Sequence, residues 1–478
     1  MFHPGAFLPE LVLLAGALAI FLTTLRASDG RLAGRVTLGV AVATLLAAVL
    51  GLKQEALMFD GAYRVDAFSQ GLKLVFSVGF VLVSLLSGRL GDIREDVRSE
   101  YFLFLTFSVL GFELLASCIE LMALVVALEL ASFPLFLAVA LRRERAGQRR
   151  QLESAMKYVM FGVAANGIMF FGLSYLFGLT GTTSLPLMAE RLRPVMTTPL
   201  AVAGLLMALA GVWYKLAVFP FHFWTPDVYQ GASNETAGWV ASLPKLGAVV
   251  VFYRFMAMAA PDGRAVPMVL AVLAGASMLY GNLLALGQTD FKRMLGFSGI
   301  AHAGYALLGF VSLDVSGHAA ALYYMTAYMA MVLACFTVIS RVSADGVNVA
   351  ISDLAGLHRR SPLLAITLMA GVFGLAGIPP LAGFMGKLAL FTAALRQGHL
   401  ALVILAVLNA AVAIYYYLSV VREVVFGDPG SRPAIVLDPP TRMLCAFLVL
   451  IIVVLGVMPG PLFEAIGQAL GAAALPGR

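Results

Sequence analysis

Stretches of about 20 apolar residues recur fourteen times along this sequence of 478 residues. A run of that length, wound as an α-helix, crosses the ~30 Å hydrocarbon core of a bilayer. Charged residues make up only 12% of the chain, about half of the share that is usual in soluble proteins. The sequence therefore predicts an all-α polytopic membrane protein and excludes a series of soluble domains.

The predicted spans and the basic residues between them give an orientation. The spans cover residues 6–25, 33–52, 67–88, 101–118, 120–141, 154–178, 199–231, 236–258, 267–287, 293–312, 317–341, 362–396, 399–426 and 441–460. With the N-terminus outside, the inward loops carry 20 of the 32 Lys and Arg residues, and the outward segments carry 8. Because basic residues accumulate in cytoplasmic loops, we expect a multi-pass protein of the bacterial inner (plasma) membrane with both termini on the periplasmic side.

The sequence offers no recognisable place for a metal or a cofactor. Its three cysteines, Cys118, Cys335 and Cys445, are far apart and form neither a CxxC motif nor a His–Cys cluster. It also lacks a GxGxxG dinucleotide motif and a P-loop. The net charge of +6 is explained by the inward loops, so no nucleic-acid partner is expected.

Four lysines fall inside predicted spans, and Lys215, Lys245 and Lys387 lie deep within them. Placing a lysine at mid-membrane costs roughly 2.5–3.5 kcal/mol, so such residues usually mark an ion path. Lys73 is only about two turns from a helix end, and we expect it to reach the headgroups as an anchor. Glu129 lies mid-span, where it must be neutral, paired with a cation or engaged in a helix–helix hydrogen bond.

Two spans, 199–231 and 362–396, are broken near their middle. The residues expected to break them are Pro220, Pro226, Gly377, Pro379 and Pro380. The first break follows Lys215 and the second precedes Lys387. Irregular backbone at membrane depth is tolerated where it lines a cavity or is buried in protein, so both breaks indicate functional regions.

Titratable groups recur at one depth on five helices, which favours a horizontal polar axis over a single substrate pocket. His302 lies mid-span, where an imidazole can pass protons near neutral pH. Glu113 and Glu120 are weaker candidates, since Glu120 lies at a helix start that favours a carboxylate. His222 is explained equally well as a satisfied interior histidine. The secondary candidates for a proton path are His222, Asp227, Glu153 and Tyr305.

An internal repeat supports this axis. The segments KLAVF (215–219) and KLALF (387–391) nearly match, with an offset of 172 residues. We interpret helices 4–8 and 9–13 as two five-helix repeats, the second inverted, each with a broken helix; this is an architecture of secondary transporters. The corresponding divisions are residues 1–100, 101–260, 261–426, and 427–478 with helix 14 and a tail.

Longer motifs carry a family resemblance. The stretches LESAMKYVMFG, KLAVFPFHFWTPDVYQGA, QTDFKRMLGFSGIAHAGY and GIPPLAGFMGKLALF occur in this order within residues 100–420. They are similar to the antiporter-like membrane subunits of respiratory complex I, and most of all to the N group. M-like chains place a glutamate where this chain has Lys387, and L-like chains continue into a long lateral helix. This sequence ends about 18 residues after residue 460.

The resemblance implies a function and its residues. Glu129 and Lys215 would form an interacting pair, Lys245 the central lysine, Lys387 the terminal one, and His302 a link between the two halves. The chain would translocate protons as a subunit of an H⁺-translocating NADH–quinone (ubiquinone) reductase. FMN, iron–sulfur clusters, NADH and quinone would be bound by other subunits.

The expected surroundings are the bilayer, internal water, an antiporter-like M subunit and small membrane subunits. One departure from the family pattern is the stretch Ser233-Asn234-Glu235-Thr236, where Glu235 either caps a helix or adds a charge near the inner mouth. A subunit of a multisubunit cation/proton antiporter or membrane-bound hydrogenase is the main alternative. A quinone-binding catalytic subunit lacks a redox ligand here, and a scaffold would not retain three costly lysines.

Overall fold

The computed structural model describes residues 3–25, 30–144, 150–260, 263–343 and 345–473. Its α-helices are α1 Leu8–Thr24, α2 Arg31–Gly51, α3 Ala67–Leu86, α4 Arg98–Ser117, α5 Leu121–Ala140, α6 Arg150–Thr180, α7 Leu185–Leu192, α8 Pro199–Ala208, α9 Ala210–Leu216, α10 Trp224–Gly231, α11 Asn234–Ala241, α12 Leu243–Met256, α13 Ala265–Ala285, α14 Phe291–Val311, α15 Val315–Val342, α16 Leu357–Arg360, α17 Pro362–Ala376, α18 Ala382–Arg396, α19 Leu400–Phe426, α20 Pro439–Val457 and α21 Gly460–Ala473. A short antiparallel hairpin pairs β1 Ala56–Met58 with β2 Tyr63–Val65.

The prediction of an all-α polytopic membrane fold is confirmed. Each of the fourteen predicted spans coincides with one helix or with two or three shorter helices. Twelve helical segments of the described chain are long and apolar enough to cross a membrane, and α1 and α17 are shorter apolar helices. Helices α14 and α15 are buried along almost their whole length, whereas α2, α19 and α20 lie at the periphery. The two inverted repeats and the four residue divisions stay predictions.

Both expected helix breaks are present, and at each break a residue in the left-handed backbone conformation ends the half-helix. Half-helix α9 ends at Leu216 and is followed by Ala217 in the left-handed conformation, with φ 68°. Half-helix α17 ends at Ala376 and is followed by Gly377, with φ 85°. A left-handed residue just after a helix is a common terminator. Each break therefore presents the last carbonyls of a half-helix inside the protein.

One detail of these breaks differs from the prediction. Pro226 lies in the first turn of α10 and does not break it, because backbone N–H groups there have no helical partner to lose. As predicted, the matching pentapeptides lie on opposite sides of their breaks. Lys215 stands in the half-helix before its break, and Lys387 stands in α18, after its break. The offset of 172 residues consequently does not align the two breaks.

Four elements have no counterpart in the predicted spans: the β-hairpin, α7, the short α16 and α21. Helix α21 occupies the segment that was expected to be a tail. It packs against α15 and α3, and the rings of Phe463 and Tyr323 stack with centroids 4.0 Å apart. The helix containing Lys245 is also divided, since Ser242 takes a non-helical conformation between α11 and α12.

Candidate functional site

Glu129 on α5 and Lys215 on α9 face each other inside the protein. The Lys215 Nζ lies 3.7 Å from Glu129 Oε1 and donates a hydrogen bond of 2.5 Å to Ser132 Oγ. Asn166 on α6 donates to Glu129 Oε1 at 2.9 Å. The lysine side chain is 8% exposed and the glutamate 23%. The expected pair is thus an ion pair without a tight direct hydrogen bond.

A small cavity adjoins Lys215. It has space for about one water molecule, and its wall includes the Lys215 and Ser132 side chains. Pro244 and Gly247, which flank Lys245 on α12, form another part of the wall. The cavity therefore lies between the first lysine and the helix that carries the second.

Lys245 binds the end of the first broken helix. Its Nζ donates to the carbonyl oxygen of Leu216 at 2.8 Å and to that of Gly299 at 3.2 Å. Leu216 is the last residue of α9, so its carbonyl has no partner within the helix. A cation is favoured there because the carbonyls at a helix C-terminus carry partial negative charge.

Lys387 has the same relation to the second broken helix. Its Nζ donates to the carbonyl oxygens of Leu375 at 3.0 Å and Ala376 at 2.9 Å, the last two residues of α17. The ammonium also lies 4.9 Å from the ring centroid of Tyr305. Such a contact between a cation and an aromatic face is attractive, and more so away from water. Tyr305 is thereby placed beside Lys387.

His302 on α14 lies between two tyrosine hydroxyl groups. Its Nδ1 is 2.6 Å from the hydroxyl of Tyr324, and its Nε2 is 3.1 Å from that of Tyr417. All three side chains are buried. The imidazole interacts electrostatically with both Lys245 and Lys387, so it lies near the central and the terminal lysine.

A third tyrosine, Tyr328, connects His302 with Lys245. The rings of Tyr328 and His302 are 5.0 Å apart. A methyl group added at Gly299 would lie 3.1 Å from the Tyr328 hydroxyl and 3.6 Å from Lys245 Nζ, so both groups border this glycine. The Tyr328 hydroxyl has no hydrogen-bond partner among the described residues. The nearby Tyr229 side chain interacts with it.

Sequence reasoning missed the tyrosines around His302. Tyr324 and Tyr328 are four residues apart on α15 and share a face of this buried helix. The available signal was two hydroxyl groups at helical spacing in an otherwise apolar span. Aromatic residues at that spacing usually serve packing, which is why the pattern was not selected.

The structure places His222 apart from the lysines' hydrogen bonds. Its side chain is buried and neither ring nitrogen has a hydrogen-bond partner among the described residues. The ring packs 4.3 Å from Tyr280 and 5.3 Å from Phe219. Both interpretations of His222, an interior histidine and a member of the proton path, stay predictions.

Asp227 and Glu153 belong to a separate, partly exposed ion network. Asp227 lies 2.7 Å from Lys157 Nζ and 2.6 Å from Arg293 Nη1. Glu153 lies 2.7 Å from the same Lys157. These basic groups bind both carboxylates and join α6, α10 and α14. A structural role explains these contacts, and the structure gives neither residue a hydrogen bond or ion pair with Lys215, Lys245 or Lys387.

The weaker candidates also have definite positions. Glu120 caps α5 by accepting a hydrogen bond from the Ala123 N–H at 2.7 Å. Glu235 does not cap its helix, because Ser233 accepts from the Thr236 N–H and Glu235 lies buried in the first turn. The anchor expected at Lys73 is wrong: its ammonium is fully buried, 2.7 Å from Glu10 Oε1. Lys73 therefore pairs with a carboxylate from a helix distant in sequence and does not extend to the membrane interface.

Metal-site geometry is absent from the part of the chain that the structure describes. No three His, Cys, Asp or Glu side chains there converge closely enough to hold an ion. Cys118, Cys335 and Cys445 are buried and unpaired with one another. The site's chemistry consists of ammonium, carboxyl, imidazole and phenol groups, all of which can bind or pass protons.

Comparisons with known proteins agree with this geometry. The sequence model of the transmembrane family described as NADH:quinone oxidoreductase/Mrp antiporter matches residues 118–413. The chain is 58% identical over 466 residues to NADH-quinone oxidoreductase subunit N 2 of Opitutus terrae, covering 97% of each chain.

Solved structures share the fold. A chain of respiratory complex I from Thermus thermophilus superposes with a TM-score of 0.82 and 32% identity, over 96% of this chain and 99% of that one. A chain of the Mrp complex from Dietzia sp. DQ12-45-1b gives a TM-score of 0.87 at 21% identity, over 99% and 98%. The latter likeness concerns the fold alone.

Proposed function

Because the chain belongs to the NADH:quinone oxidoreductase/Mrp antiporter transmembrane family, and within it to subunit N of NADH-quinone oxidoreductase, we propose a proton path through its buried lysines. The chain is a proton-translocating membrane-arm subunit of a multisubunit complex. The path begins at the Glu129–Lys215 pair, passes Lys245 and His302, and ends at Lys387.

One observation carries this assignment: a buried lysine binds the terminal carbonyls of each broken helix. Lys245 donates to Leu216, and Lys387 donates to Leu375 and Ala376. Half-helix ends that bind cations at mid-membrane are typical of transporters built from broken helices. A purely structural scaffold has no need of two such costly sites.

The first step is a change in the pair. While Glu129 is close and ionised, its charge stabilises the ammonium of Lys215. When Glu129 withdraws or is neutralised, the ammonium loses that partner and releases its proton through the adjoining cavity towards Lys245. The proton leaves an N–H bond of Lys215 and forms one on Lys245, so the number of protons is unchanged.

The later steps use His302 and the three tyrosines near it, Tyr324, Tyr328 and Tyr417. Tyr328 borders Lys245, and His302 is flanked by Tyr324 and Tyr417. Hydroxyl and imidazole groups in contact can accept one proton while donating another, and ordered water completes such chains. The proton arrives at Lys387, from which it leaves towards the periplasm.

The remaining parts of the proposal concern the complex. Electrons pass from NADH to quinone on other subunits, which also bind FMN and the iron–sulfur clusters. The neighbours in the membrane arm are an antiporter-like M subunit and small membrane subunits. The chain lies in the inner membrane with both termini on the periplasmic side, as the distribution of Lys and Arg indicates.

Purification of the tagged chain from its native membrane tests this function. We expect it to isolate with flavin and iron–sulfur subunits, and we expect the preparation to couple NADH oxidation by quinone to proton uptake into vesicles. Isolation in a complex that exchanges cations for protons without oxidising NADH would contradict the proposal.

A further inference from the structure

A second group of buried ionisable side chains lies outside the proposed proton path from Glu129 to Lys387. The ammonium of Lys73 on α3 is 2.7 Å from Glu10 Oε1 on α1, and both side chains are completely buried. The hydroxyl of Tyr63 on β2 donates a hydrogen bond to the same carboxylate oxygen. Glu113 on α4 interacts electrostatically with both members of this pair. We call Glu10, Lys73 and Glu113 the outer triad.

Glu113 is weakly held compared with Glu10. Its Oε1 accepts one hydrogen bond, from Ser77 Oγ at 3.0 Å, and its side chain is fully buried. The second oxygen, Oε2, has no hydrogen-bond partner in the described chain, and neither has Oε2 of Glu10. A buried carboxylate oxygen without a donor is unfavourable, whereas a carboxyl group that holds a proton removes the charge.

The charges of the outer triad do not balance. Two carboxylates and one ammonium leave one negative charge in the interior if all are ionised. Of the other ionisable groups nearby, Asp66 pairs with Arg64 at 3.1 Å. The buried Arg254 on α12 donates to the Ala116 carbonyl at 2.5 Å and interacts electrostatically with Asp66 and Cys118. The buried thiol of Cys118 also interacts electrostatically with Lys73. An unpaired buried charge costs several kcal/mol, so the triad favours binding one proton.

The position of the outer triad suits proton release. Glu10 and Lys73 lie near the first residues of α1 and α3, and Glu113 lies near the last residues of α4. All three therefore lie towards the end of the helices that the charge distribution assigns to the periplasm. Phe112, the residue before Glu113, lines the cavity beside Lys215. Its ring stacks on that of Phe76 of α3, with centroids 5.3 Å apart. Helix α4 thus carries Glu113 of the outer triad and also borders the cavity beside Lys215.

We propose that the outer triad is a proton-exchanging site, in which Glu113 takes up and releases a proton during each turnover. The O–H bond forms at a Glu113 carboxyl oxygen with a proton delivered through water, and breaks when the proton leaves on the outer side. The proposal rests on the proposed function, because only a proton-translocating chain would cycle this site. A static triad that merely joins α1, α3 and α4 is the competing explanation.

Infrared difference spectroscopy of the purified complex, before and after reduction by NADH, separates these explanations. We expect a C=O band of a protonated carboxyl group that shifts in D₂O and disappears in Glu113→Gln. The matched control is Glu190→Gln on α7, whose side chain is exposed, and it should retain the band. If Glu113→Gln leaves every carboxyl band unchanged, the triad does not exchange protons.

A second variant protects the test against loss of assembly. Lys73→Met keeps both carboxyl groups and removes the ammonium, so the band should persist at a shifted frequency; an unshifted band contradicts the proposal. Proton pumping is measured on the same wild-type preparation. Normal pumping without a triad band overturns the triad alone, whereas NADH oxidation without pumping overturns the proposed function.

Discussion

The ammonium of Lys215 lies 3.7 Å from the Glu129 carboxylate but donates its hydrogen bond to Ser132, at 2.5 Å. The carboxylate is held instead by Asn166, which belongs to α6. The two charges therefore attract each other without a direct tight bond, and each has a separate neutral partner. Their separation can change while both keep a hydrogen bond, which is what a switchable pair requires.

Glu129→Gln tests the switch, because glutamine keeps the shape and the hydrogen bond to Asn166 but removes the charge. We expect the complex to assemble and its NADH-driven pumping to fall by about tenfold, since ~1.4 kcal/mol changes a proton equilibrium by that factor. Glu120→Gln, the same change at the cap of the same helix, should pump normally. A normal proton-to-electron ratio in Glu129→Gln would rule out the switch; lost assembly would favour a static pair.

Gly299→Ala tests the contact between Lys245 and the tyrosine cluster. The added methyl group would lie 3.1 Å from the Tyr328 hydroxyl and 3.6 Å from Lys245 Nζ. Overpacking of this kind costs about 1–3 kcal/mol, and we expect it to displace the two groups and slow pumping. Gly167→Ala on α6, where the methyl group meets nothing within 4 Å, is the control. Equal pumping rates in the two variants would remove Tyr328 from the path.

Lys387 and Tyr305 allow a graded test of the outward end. Lys387→Ala should impair both pumping and NADH–quinone turnover in the assembled complex. Tyr305→Phe keeps the ring under the ammonium and should resemble the wild type, whereas Tyr305→Leu removes a cation–π contact worth about 0.5–2 kcal/mol. Pumping is compared at equal amounts of complex. Wild-type pumping by assembled Lys387→Ala would exclude this lysine from the path.

Asp227→Asn tests whether Asp227 has only a structural role in its ion network or belongs to the proton path. Removing this charge leaves Lys157 and Arg293 without their shared carboxylate, so we expect less assembled complex but an unchanged proton-to-electron ratio. Asp60→Asn, an exposed position on the hairpin, controls for the substitution itself. The yield is measured by native gel electrophoresis. A lower ratio at normal yield would return Asp227 to the proton path.

The fold and the buried lysines could be predicted because their signals are local or repeated, whereas the Glu129–Lys215 pairing was implied by the family resemblance. Apolar run length predicts the spans, and proline with glycine predicts where α9 and α17 end. Lys215 and Lys387 are recognisable because a lysine in the middle of an apolar helix has no interface to reach. The roles assigned to these residues remain predictions.

The errors concern interactions between distant parts of the chain. Lys73 was expected to be an anchor because its position near a helix end permits it, and nothing nearby in sequence indicates Glu10 as its partner. The tyrosines around His302 come from α15 and α19, so their convergence depends on helix packing. Pro226 was expected to break a helix because sequence does not show that the helix begins two residues earlier.

Replacement of Lys245 by glutamine tests the proton path most directly. Lys245 Nζ donates to the carbonyls of Leu216 and Gly299. Glutamine keeps N–H donors on a slightly shorter side chain, but it cannot carry a proton at neutral pH. The measurement is NADH-driven proton pumping by the assembled complex in liposomes, with the exposed Lys53→Gln as control. The path predicts a loss of pumping of roughly tenfold or more in Lys245→Gln, because the essential carrier is gone. Pumping equal to that of the control would contradict it.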